Sequence, residues 1–150
     1  MTDIIEKIDA LLERPRYLID IFPRTVPQTD DRRYFEIEEY FQKNRGALNE
    51  KFCSIILKLY CYYDFWVSAG DEAAKNPRPE QLVEWICRCF EGDWRKRDYM
   101  NIILPGCDAM MILNGDDLYM ILCNPDQRLR ELAAQLAGAE GLFFYKAPEP

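Results

Sequence analysis

A chain of 150 residues, 49% hydrophobic and 13% aromatic, can bury a core of its own, which excludes the disordered classes. Its net charge of −7 argues against a general nucleic-acid binder, whose affinity rests on neutralising phosphates, and suits a basic partner or plain solubility. The chain has no histidine, only Ser54 and Ser68 as serines, and seven scattered glycines without GxGxxG or GxxxxGK[ST] spacing, so the Ser-His and Cys-His nucleophile pairs, His-ligated metals and phosphate-cradling loops fall away. The first residues carry neither a basic n-region nor an unbroken apolar run. No secretion signal is expected, the location is expected to be cytoplasmic, and Cys53, Cys61, Cys87, Cys89, Cys107 and Cys123 are expected as thiols.

In chain order, residues 3–13 place Ile4, Ile5, Ile8, Leu11 and Leu12 at helical spacing, with Thr2 or Asp3 as N-cap and Pro15 as terminator. Residues 17–22 form an extended segment held between Pro15 and Pro23, which predicts an edge strand. Asp30 and Asp31 cap an amphipathic helix over residues 32–41, whose apolar stripe is Tyr34, Ile37, Tyr40 and Phe41. The longest apolar stretch, residues 51–67, predicts a central helix: Phe52, Ile55, Ile56, Leu59, Tyr60, Tyr63, Trp66 and Val67 face the core, and Lys51, Ser54 and Lys58 face water. That helix becomes apolar all round at its end, so Tyr62 and Phe65 are either covered or offered to a partner.

Residues 70–79 are polar and rich in breakers, which predicts a surface loop. Pro79 then starts a helix with a stripe of Leu82, Trp85, Ile86, Cys89 and Phe90, closed by Gly92. Strands follow over residues 101–104, 109–113 and 118–123, the last two joined by the hairpin signal Asn114-Gly115-Asp116-Asp117. Both faces of that hairpin are apolar, so helices or another subunit must cover each side. Asn124 as N-cap and Pro125 as first residue open a last helix that ends by Gly138, and residues 142–146 form a final strand. The expected architecture is a single α+β domain over residues 1–150, a helix-rich N-terminal half packed on a small, mostly antiparallel C-terminal sheet.

Chemistry-bearing groups are few. Cys87 and Cys89 lie about 200° apart on a helix and cannot chelate one ion. The doublets Asp30-Asp31 and Asp116-Asp117 serve a helix start and a turn without any cation. Asp64 sits among Tyr60, Tyr62, Tyr63 and Trp66, where burial would raise its pKa. Trp94, Arg95, Lys96 and Arg97 are the one basic cluster.

The segments RPRYLIDIFPRTVP, YFEIEEYF, KFCSIILKLYCYYDF and NGDDLYMILCNPDQRLRELAAQLAGAEGLFFYK together resemble a set of short bacterial proteins without an assigned activity. The resemblance implies a bacterial, cytoplasmic origin and carries over no site residues. From the residues themselves, the expectation is a non-catalytic protein-interaction module, of immunity or antitoxin type, with an acidic and aromatic surface. Its candidate partner-binding residues are Tyr62, Phe65, Trp94, Arg95 and Arg97, with no metal, cofactor, nucleic acid or membrane, and with a homo-oligomer as a further possibility. The alternative is a small enzyme or ligand-binding domain using Asp64 or a cysteine in a pocket beside the central helix.

Overall fold

The structure is a computed structural model and describes residues 2–27 and 32–148. Among these the chain is α+β. Strands β1 (Arg16–Asp20), β2 (Trp66–Ala69), β3 (Glu72–Lys75), β4 (Tyr99–Leu104), β5 (Ala109–Asn114), β6 (Tyr119–Cys123) and β7 (Phe143–Lys146) form one antiparallel sheet of order β3-β2-β4-β5-β6-β1-β7. Helices α1 (Thr2–Leu12), α2 (Arg33–Lys43), α3 (Arg45–Tyr60), α4 (Pro79–Cys89) and α5 (Gln127–Ala139) surround it. The expected C-terminal unit of hairpin, helix and final strand is present, and the sheet extends beyond it by recruiting β1, β2 and β3.

Side chains alternate between the two faces of the sheet. Ile19, Met100, Ile102, Met111, Leu113, Met120 and Leu122 face a large core closed by α3, α4 and α5, with α3 in the middle against both neighbours. Ile103, Met110 and Cys123 face the other way and meet Ile4, Ile8 and Leu11 of α1. Seven strands at about 4.8 Å spacing make a sheet roughly 29 Å wide. Three helices at about 9 Å spacing cover that width, whereas one does not. The face under α1 is therefore only partly roofed.

Four expectations need correction. The central helix ends at Tyr60, and residues 66–69 of the same apolar run are β2. An all-round apolar segment has no helical stripe to lose, so periodicity could not register the switch; the aromatic and β-branched Phe65-Trp66-Val67 could have. The expected loop over residues 70–79 contains β3, reached by the two-residue turn Gly70-Asp71, in which Gly70 has φ +57°. Asn76 clasps the open end of this hairpin: its Oδ1 accepts from the Phe65 N–H at 2.9 Å, and its own N–H donates to the Phe65 carbonyl at 2.8 Å.

Strand β1 is not at an edge but lies between β6 and β7. Pro15 and Pro23 both fall outside its ladder, so neither removes a hydrogen bond the sheet needs. The cap of α5 is Asp126, whose Oδ1 accepts from the Leu129 N–H at 2.8 Å, while Asn124 adopts φ 56° two residues earlier. The caps expected at Asp30 and Asp31 lie outside the described residues.

Candidate functional site

The candidate binding residues read from the sequence do not share one surface role. Tyr62 and Trp94 are exposed at 60% and 70%. Phe65 is corrected from surface to core: it is 1% exposed and stacks on Tyr60 at 4.5 Å between ring centroids. Trp94, Arg95 and Lys96 form a short 3₁₀ turn capped by Asp93, which also holds the Arg95 guanidinium at 3.2 Å. Arg97 is a brace: its Nε donates to the Glu91 carbonyl at 2.7 Å, and it pairs with Asp116 at 3.3 Å. Asp64 is exposed in the turn after α3.

A different region emerges from the half of the sheet that α1 leaves open. Cross-strand register places Leu18 beside Ile121 and Tyr145, and Asp20 beside Tyr119 and Phe143, all on the α1 side. None of Leu18, Tyr119, Ile121 or Tyr145 reaches full burial: α1 packs against Ile121, and Tyr34 and Glu38 of α2 stand beside Tyr119 and Tyr145, so these side chains are half-covered. Two adjoining hollows follow β1 and share Leu18 and Tyr119 as walls. The larger, about 810 Å³, has Leu18, Tyr119 and Ile121 as its floor, Leu12 of α1 as a wall, and Arg14, Arg16 and Lys146 on its rim. One heptad before Leu12, Ile5 lies on the same flank of α1 and is 51% exposed.

The smaller hollow, about 210 Å³, lies at the other end of β1 under α2 and the hairpin turn, where Asp20, Glu38, Asp116 and Asp117 converge with Tyr34, Tyr119 and Tyr145. Asp20 is buried and satisfied: it accepts from the Tyr145 hydroxyl at 2.5 Å and from the Ile21 N–H at 2.7 Å. Burial, then this bond to Asp20, pushes the Tyr145 phenol well above its ordinary range. Burial, then a hydrogen bond to Glu38, pushes the Tyr34 phenol up to about 12. Burial, then the neighbouring charges of Asp116 and Glu38, raises the Asp117 carboxyl. Among the described residues no cation or hydrogen-bond donor answers the Asp117 side chain, so a positive group entering this hollow meets an uncompensated carboxylate.

The acidic end is held rigidly from behind. Arg45, 4% exposed, donates to the carbonyls of Gly115 and Cys89, the latter at 3.3 Å, and to Gln42 Oε1, while its guanidinium lies 5.1 Å from the Phe90 ring centre. It thereby ties the start of α3 and the end of α4 to the hairpin turn. Gly115 is required there, since a Cβ would stand 2.1 Å from the Cys89 carbonyl oxygen.

Tyr17 to Asp20 carries apolar residues toward both faces, a signal equal to that of the β5–β6 hairpin. Taken as an edge strand, β1 gave no reason to look for a floor at Leu18. The pairing of residue 20 with residues 119 and 143 is long-range and no local pattern encodes it. Neither hollow is lined by Asp64 or by a cysteine. Burial raises the thiol pKa of Cys89 to about 12 and of Cys123 to about 11, whereas Cys61 and Cys87 are exposed. Among the described residues no three His, Cys, Asp or Glu side chains gather as metal ligands, and no helix is long and apolar enough to cross a membrane. Comparison of the chain with protein-family models, with curated proteins and with solved structures returns no match.

Proposed function

We propose that this chain is a cytoplasmic, non-catalytic protein-interaction module that takes a basic protein partner on the open half of its sheet, in the manner of an immunity or antitoxin protein. The observation that carries the reading is the half-buried apolar floor of Leu18, Tyr119 and Ile121 running into a carboxylate-lined hollow. Apolar floor favours association by leaving water, and the acidic end selects the sign of charge that enters. The net charge of −7 steers a basic partner toward it over longer range.

Affinity capture from the source cell with the full chain, at low and moderate salt, tests this reading. A protein partner is expected to be retained, to weaken with salt, and to be lost from a folded Leu18→Arg variant. Loss instead from Trp94→Ala or Tyr62→Ala, with Leu18→Arg still binding, would move the binding face to the surface those residues occupy. Retention of no protein at either salt would remove binding as the function.

A further inference from the structure

We infer that the partner element seated on this face is an amphipathic α-helix lying beside α1, its N-terminal, lysine- or arginine-bearing end in the acidic hollow and its C-terminal, carboxylate-bearing end at Arg14, Arg16 and Lys146. This rests on the proposed binding role and names the element, its polarity and its charge pattern.

Three observations converge on it. The first is shape: Leu12 of α1 meets the floor of Leu18 and Ile121, an inside corner with one wall and one base, and the exposed Ile5 continues the apolar flank of α1 one heptad away. A strand added to a sheet pairs at an edge, whereas this surface is the face of strands already paired on both sides. A helix of about 10 Å diameter packs onto such a face, as three do on the opposite side.

The second is length. Arg16 and Asp20 are the two ends of β1, about 13 Å apart at strand rise, and their ends of the groove carry opposite charge. A helix crosses that span in about nine residues, two and a half turns, close to the length of α1 itself.

The third is charge. A helix carries partial positive charge at its N-terminus and negative charge at its C-terminus. The hollow with Asp20, Glu38, Asp116 and Asp117 favours the former, and the rim, where Arg14, Arg16 and Lys146 outweigh Glu13, favours the latter. Asp116 is already paired with Arg97, Asp20 with Tyr145 and Glu38 with Tyr34, which leaves Asp117 as the carboxylate that receives the partner's cation.

A pair of synthetic 14-residue peptides tests the inference. Both carry leucines at i, i+3, i+4 and i+7; one has two lysines in its first turn and two glutamates in its last, and the other has these charges exchanged. Titrated into the ¹⁵N-labelled full chain at low salt, the lysine-first peptide is expected to shift the amides of Leu18, Asp117, Tyr119 and Ile121, and to bind about tenfold more tightly than its counterpart. In the double variant Glu38→Gln, Asp117→Asn that preference is expected to shrink to near parity while leucine-driven binding persists. Equal affinity of the two peptides, absence of binding, or shifts confined to the surroundings of Tyr62 or Trp94 would overturn it. The two proposals fail separately: a cellular partner lost from Leu18→Arg alongside equal peptide affinities removes the helix and its polarity and leaves the binding role standing. An empty capture removes the binding role itself.

Discussion

At the scale of single residues, burial in the acidic hollow favours the neutral forms of its titratable groups. The Tyr34 phenol is raised to about 12, so the folded chain favours its protonated form. The stability that this difference contributes is whole below the ordinary phenol range near about 10 and is lost as pH rises toward the folded value. Ultraviolet titration of phenolate should show several late-titrating tyrosines, Tyr145 among them, and Tyr34→Phe should have one fewer; an unchanged curve would contradict the assignment. Asp117 has the opposite consequence at neutral pH. Its raised pKa means that its charged form is penalised by folding, so Asp117→Asn is expected to raise the melting temperature at pH 7, with the gain vanishing as pH falls through the raised value.

Arg45 contributes on the structural side. Removing it by Arg45→Ala strips hydrogen-bond donors from the buried carbonyls of Cys89 and Gly115, with an expected loss of about 2–4 kcal/mol in denaturant unfolding. Thiol chemistry separates along burial. Cys61 and Cys87 should react with a disulfide reagent in the folded chain, and Cys89 and Cys123 only after unfolding, because their thiolates are disfavoured and shielded.

At the scale of elements, the helix over residues 51–67 shows how far a pattern carries. Phe52, Ile55, Ile56 and Leu59 are buried as the stripe demanded, whereas Tyr60 and Tyr63 are only half-buried and Trp66 and Val67 belong to β2, so the helix stops where the stripe stops being definable. Helix α2 shows the converse. Its stripe of Tyr34, Ile37, Tyr40 and Phe41 predicts a buried face, yet none of its residues is buried, because α2 roofs the acidic hollow at the end of the sheet and touches the core only through the half-buried Phe41. The cap of α5 differs by two residues from the expected one, since Asn124 and Asp126 are both good cap residues and the strand–helix connection selects between them. Asp126→Ala should therefore cost about 1 kcal/mol, measurable by thermal unfolding, and Asn124→Gly should be tolerated because glycine adopts φ 56° without strain.

At the scale of the whole molecule, unequal coverage of the sheet is the feature from which the function is argued. Hydrogen exchange should follow it: amides of β4 and β5, roofed on both faces, should exchange last, and those of α1 and α2 earlier. The sequence by itself determined the α+β class, the hairpin with its doubly apolar strands, and the core stripes of α4 and the first part of α3, because turn chemistry and side-chain period are local properties of the chain. Only the tertiary structure decided that β1 lies inside the sheet, that residues 66–75 form a hairpin, and that α1 packs on one face, with α2 over its acidic end, where three helices stand opposite. Strand order and helix coverage depend on pairings between residues as far apart as 20 and 145. No local periodicity carries that information, and the groove between basic rim and acidic hollow exists only through it.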